Sequence, residues 1–194
     1  MKLVLAAITV FAIPGVGCAD TLTPRIESSE LPAFKRTPEE RYFSSRDVFR
    51  LVWAEPSILF IDVRDPVEVA LSGHPEKIDA VVPVQILGLD ETGDPRDAEL
   101  VDNPAFLNKM TKVLLANNKS RHDLIIVTCG SGRRSAMATR ILSENGYTNV
   151  WHVPDGYDGD DVVGYNRRNA WKDAGLPWSM DLVEATEWAL KMFD

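Results

Sequence analysis

The sequence predicts an α/β fold in which a mainly parallel sheet is covered by helices on both faces. Two apolar runs, 57–63 (SILFIDV) and 123–128 (DLIIVT), are bounded by turns or charge and suit strands buried on both faces. Segments with helical spacing of apolar residues alternate with these runs, as a parallel sheet with helical crossovers requires. The 194 residues are 45% hydrophobic and 26% charged, enough apolar material for one sizeable core.

Each element has its own local signal. A helix begins at Ser44 or Ser45, whose hydroxyl can satisfy the first backbone donors of RDVFRLVW, with Val48, Leu51 and Val52 on one face and Pro56 beyond its end. The first strand follows at 57–63. Asp65-Pro66 opens a short helix through Leu71, closed by Gly73. AVVPV at 80–84 reads as a strand, and the acidic stretch 89–103 reads as a solvated loop, since its acids lack the ligand spacing of an EF-hand. A helix over 103–117 precedes the strand 123–128. Another over 134–145 turns Met137, Ile141 and Leu142 inward and stops at Asn145-Gly146. NVWHV, 149–153, is the last strand expected.

Charge and the amino terminus bound the functional classes. A formal net charge of −8 leaves no excess of Lys and Arg to neutralise phosphates, which argues against a nucleic-acid binder or a partner of anionic membrane. Lys2, the apolar stretch after it and the small residues Gly17-Cys18-Ala19 have the layout of a secretory signal peptide, 1–19, and predict export, to the periplasm in a bacterium. A lipoprotein with Cys18 retained is the weaker form of the same reading, because Gly15 stands where a branched aliphatic is expected. Residues 20–43 are polar, contain three prolines and read as a leader. Cleavage after Ala19 would leave Cys129 as the sole cysteine, unable to form an internal disulfide.

The decisive segment starts at that cysteine. Cys129 directly follows a buried strand and is followed by Gly130-Ser131-Gly132, Arg133-Arg134 and Ser135, then a helix. Glycines let backbone N–H groups turn inward, and a nest of such groups at a helix N-terminus favours an anion at its centre. Two arginines add positive charge. This is the environment in which a thiolate nucleophile is stabilised, with its sulfur expected at the mouth of the sheet and open to solvent. Rival readings fit less well. A dinucleotide fingerprint lacks its third glycine, since Ser135 stands there. Thioredoxin chemistry lacks a second cysteine, and His74, His122 and His152 show no short metal-ligand spacing, so neither a metal nor another cofactor is expected.

These residues resemble the Cys-x-x-Gly-x-Arg-Ser active loop of single-domain rhodanese-like proteins. Phe60-Ile-Asp62-Val-Arg64-Asp-Pro-x-Glu68, Gly73-His74, the segment from Asn149 to Gly156, and Trp171 through Trp178 resemble further signatures of that family in the same order. The resemblance covers roughly 44–180. It implies a rhodanese-like three-layer α/β fold with a mainly parallel five-stranded sheet, and a sulfurtransferase cycle. In that cycle Cys129 takes sulfane sulfur from a small donor such as thiosulfate as a persulfide. It then yields the sulfur to cyanide or a thiol, which includes a protein thiol partner. The resemblance gives amide donors at 130–134 the role of holding thiolate and persulfide, Arg134 that of closing the loop, Arg133 that of substrate contact, and Asp62 and Arg64 a structural role beside the site.

Departures from the family pattern leave a non-catalytic binding module as the second reading. Gly73-His-Pro-Glu-Lys-Ile-Asp-Ala and the acidic insertion after it are unlike the family, and the turn at 154–172 is lengthened into a lid, a docking surface for a partner, or a solvated loop clipped by Trp171. A Cys-based phosphatase or arsenate reductase is the more distant competitor. It needs Cys-x5-Arg, whereas arginine here occupies the fourth and fifth positions after Cys129. The end, 181–194, is expected to form an amphipathic helix with Leu182, Ala185, Trp188 and Ala189 on one side.

Overall fold

The computed structural model describes residues 26–88, 99–160 and 169–181. The expected signal peptide, the tip of the acidic loop, residues 161–168 of the lengthened turn and the expected C-terminal helix lie outside them.

A four-stranded parallel sheet forms the centre, in the order β3-β1-β6-β7, from β1 (Leu59–Asp62), β3 (Ala80–Val81), β6 (Ile125–Thr128) and β7 (Val150–His152). Both apolar runs thus occupy the two middle positions, where Leu59 pairs with Ile125 and Asp62 with Thr128. Successive side chains point to opposite faces. Leu59, Ile61, Ile125, Val127 and Cys129 join one core with Phe106, Met110 and Leu142, from helices α3 (Phe106–Ala116) and α4 (Arg133–Glu144). Phe60 and Ile126 join a second core on the other face, with Val48 and Val52 from α1 (Ser45–Ala54), Val69 from α2 (Pro66–Ser72), and Trp151 and Trp171. This gives the three expected layers.

Two expectations of the sheet change. A fifth parallel strand is reduced to one bridge, Tyr42 to His152, with Phe43 N–H donating to the His152 carbonyl at 3.2 Å and His152 N–H to the Arg41 carbonyl at 3.1 Å. Pairing cannot extend because Glu40 has φ 49° on one side and Ser44 caps α1 on the other. The acidic stretch is also not all loop. β4 (Gln85–Gly88) and β5 (Glu99–Asp102) form an antiparallel ribbon, whose short alternating segments are masked in sequence by the surrounding acids.

Caps fall where the side chains predict. Ser44 accepts from the Asp47 N–H, and Asp65 from the Val67 N–H, with Pro66 in the first turn of α2. A second antiparallel pair, β2 (His74–Pro75) with β8 (Trp178–Ser179), ties the turn after α2 to the end of the described chain. The leader packs on the domain: Leu31, Lys35, Thr37, Tyr42 and Phe43 are buried.

Candidate functional site

Strand β6 ends at Thr128 and α4 begins at Arg133, so four residues carry the chain from sheet to helix around the Cys129 sulfur. Gly132 makes the turn with φ +87°, a left-handed conformation that lets its N–H face inward. Cys129 Sγ accepts from the Gly132 N–H at 3.1 Å and from the Ser135 N–H at 3.3 Å, with Ser135 Oγ at 3.6 Å. The amides that reach the sulfur are therefore those of Gly132 and Ser135, of which only the first lies within the stretch 130–134 expected to supply them. Gly132 is the cap residue of α4 and Ser135 lies in its first turn, where unpaired backbone donors and the helix dipole favour negative charge.

The lengthened turn holds this loop from behind. Cys129 O accepts from the Tyr157 N–H at 2.8 Å, and Gly130 O from the Asp158 and Gly159 N–H groups at 2.9 and 3.0 Å. Contact is so close that a Cβ on Gly132 would lie 2.3 Å from the Pro154 carbonyl oxygen, and one on Gly156 2.4 Å from that of Gly130. Ser131 lies at the bend of the same loop.

The two arginines take different partners. Arg134 forms a two-pronged pair with Glu68 of α2, 2.7 Å on each prong. Burial works against its charge, but Glu68 and then Cys129 more than offset this and raise its pKa. Arg133 is about half exposed, lies 3.9 Å over the Phe34 ring and pairs with Asp160 at 3.4 Å. Asp62 and Arg64 are completely buried. Arg64 Nε and Nη2 reach Asp62 Oδ2 at 2.9 and 2.7 Å, Nη2 donates to the Gly73 carbonyl, Nη1 donates to Ser72 Oγ, and the guanidinium stacks 4.3 Å over Tyr157. The pair thus locks β1, α2 and the lengthened turn together beneath the site.

Burial of Cys129 corrects the expectation of an open sulfur: its exposure is 0%. Sequence reasoning also missed two residues here. Lys35, buried in the leader, donates from Nζ to the Pro154 carbonyl at 3.0 Å. Burial lowers its pKa, while Asp160 and Cys129 pull it back up. His152, expected to be an ordinary lone histidine, lies between Ser135 Oγ (3.2 Å) and the Lys35 carbonyl (2.9 Å). Burial brings its pKa down to about 3, so the ring is neutral. The leader's packing carries no periodic signal, and His152 is marked only by its place beside the family's glycine turn. Among the described residues no cluster of His, Cys, Asp and Glu is arranged to hold a metal ion.

Comparison with known proteins agrees with this fold. The chain is 32% identical to the senescence-associated protein DIN1 of Raphanus sativus over 104 residues, 54% of this chain and 49% of that one. It is 34% identical to uncharacterized protein RC0915 of Rickettsia conorii over 61 residues, 31% and 46% of the two chains. The chain thus spans about half the length of the curated relatives it matches. The crystal structure of Rv0390 from M. tuberculosis superimposes with a TM-score of 0.52 at 23% identity, covering 72% of this chain and 97% of that one, which is a likeness of fold. The rhodanese-like domain family model matches residues 47–160, a stretch running from α1 past the Cys129 loop to Asp160, and the chain belongs to that family.

Proposed function

We propose that the protein is a sulfurtransferase in which Cys129 carries sulfane sulfur as a persulfide. The observation that supports this most is Sγ held by two main-chain N–H groups of a helix N-terminus, a site that stabilises a sulfur anion without a metal or cofactor. With thiosulfate, the Cys129 thiolate attacks the outer sulfur. A new S–S bond forms, the old one breaks, and sulfite leaves with the electron pair. A nucleophilic acceptor, cyanide or a thiolate, then attacks the terminal sulfur and Cys129 leaves as thiolate. Arg133, half exposed and held to Asp160 by a single 3.4 Å contact, is the group for an anionic donor to meet, since Arg134 is less exposed and held to Glu68 on both prongs.

The partners of this reading are a small sulfur donor and a thiol acceptor, a protein thiol among them. On this reading the segment 1–19 serves as a secretory signal peptide and the reaction takes place outside the cytoplasm, in the periplasm of a bacterium. Steady-state release of sulfite and thiocyanate from thiosulfate and cyanide is the test: activity that disappears in Cys129→Ser supports the reading, and activity that survives contradicts it. A specific observation favours a second reading. Because Cys129 is fully buried, a non-catalytic rhodanese-like module that binds a partner through the lengthened turn is the alternative. Absence of product with thiosulfate, mercaptopyruvate and polysulfide would favour it.

A further inference from the structure

We propose that His152 is a positioning residue for the Cys129 sulfur: the Lys35 carbonyl of the leader fixes its tautomer, and through Ser135 it withholds a hydroxyl proton from that sulfur. The inference deepens the sulfurtransferase reading, though its test needs no turnover.

Bond polarity carries the argument. A carbonyl can only accept, so the 2.9 Å contact between His152 Nε2 and Lys35 O places a proton on Nε2. The ring is neutral, which leaves Nδ1 as a bare acceptor. Ser135 Oγ, 3.2 Å away, is the donor that Nδ1 meets among the described residues. That hydroxyl has a competing acceptor in the Gly132 carbonyl at 3.1 Å, but Gly132 O already accepts from the Ala136 N–H. His152 is completely buried, and a buried acceptor left without a donor is costly, so the proton goes to Nδ1. Ser135 Oγ then turns a lone pair towards Sγ, 3.6 Å away, which suits an S–H and disfavours a thiolate. Among the described residues only the two amide donors then remain to hold a sulfur anion. Displacement of the leader removes the partner of Nε2, permits the other tautomer, and frees the Ser135 proton for the sulfur.

Other charges around the pair are fixed contributions. Lys35 from the leader and Arg140 of α4 face His152. Cys129 is within electrostatic reach of Lys35 and Arg134. Their nearby counter-charges are Glu68 of α2, Asp62 of β1, and Asp155 and Asp160 of the lengthened turn.

The test is nuclear magnetic resonance of the full chain, which requires no reagent to reach the buried sulfur. Imidazole 15N shifts of His152 are expected to show the neutral Nε2–H tautomer near neutral pH; an Nδ1–H tautomer or an imidazolium overturns the proposal. Cysteine 13Cβ shifts report the thiolate fraction of Cys129. His152→Gln, whose amide reaches towards Lys35 but not Ser135, should raise that fraction at about pH 7 by up to about tenfold, the effect of one hydrogen bond. His152→Asn, whose oxygen lies near the place of Nδ1, should restore the wild-type fraction. In a Ser135→Ala background His152→Gln should change nothing. A Gln variant that folds and titrates like wild type, or a shift that persists without the Ser135 hydroxyl, refutes the mechanism. Should the Gln variant not fold, the wild-type tautomer alone decides. None of these outcomes depends on sulfur transfer, so failure of the proposal is distinguishable from failure of the enzymatic reading.

Discussion

Asp62→Asn removes one charge from a pair that has no access to water while keeping the side-chain shape. Arg64 is completely buried, and its backbone N–H and Nε both reach Asp62 Oδ1, while Nε and Nη2 reach Oδ2. Asparagine keeps one acceptor oxygen and turns an NH2 group towards donors, so the guanidinium loses its counter-charge and meets a like-polarity contact. Breaking a buried pair by removing one partner costs about 3–5 kcal/mol. Asp158 Oδ2, 3.7 Å from Arg64 Nη1, retains part of the compensation, which places the expected loss near the lower end, about 3 kcal/mol. In a chain of this size that corresponds to a fall in Tm of about 6–12 °C. Urea denaturation and thermal melts of wild type and variant measure it. Loosening should spread to the site, because Arg64 holds Ser72 and Gly73 at the end of the helix that carries Glu68. A loss below about 1 kcal/mol would show that the pair does not hold the fold in the way its geometry implies.

Three further predictions address the loop and its surroundings. Gly132→Ala imposes a left-handed conformation costing about 1–2 kcal/mol and drives a methyl into Pro154, so stability should fall by more than about 2 kcal/mol and sulfur loading with it; intact loading would mean that the turn tolerates a side chain. Glu68→Gln strips Arg134 of its counter-charge, so the rate of Cys129 modification by iodoacetate relative to uncharged iodoacetamide should rise a few-fold, and an unchanged ratio argues against electrostatic steering by Arg134. His152 supplies a pH dependence. Its folded pKa lies below its unfolded value, at about 3 against 6.5, so within that window the unfolded chain binds the extra proton and stability falls as pH falls. The difference between wild type and His152→Asn should therefore change by up to about 1.4 kcal/mol per pH unit in that window, and parallel curves would contradict a neutral buried ring.

Local chemistry in the sequence is legible where neighbours in the chain decide the structure. Unbroken apolar runs through LFID and IIVT identify strands buried on both faces, Ser44 and Asp65 announce their helices, and Gly132 marks the turn that aims an amide at Cys129. Contacts between distant segments are not encoded this way. Arg134 and Glu68 are 66 residues apart, and His152 and Lys35 are 117 apart, so no period or spacing joins them. The ribbon of β4 and β5 has little hydrophobic contrast in sequence, because each strand has four residues, those of β5 exposed and those of β4 mostly half-buried. An open sulfur was expected from the loop alone. Its burial depends on the packing of the whole domain around it, which one loop sequence does not specify.

The most direct measurement is the intact mass of the full chain after incubation with thiosulfate, with the modified residue mapped by peptide analysis. A gain of one sulfur atom on Cys129, removed by cyanide and absent from Cys129→Ser, is the predicted result. An unmodified Cys129 after thiosulfate, mercaptopyruvate and polysulfide, or an identical gain in Cys129→Ser, would contradict it.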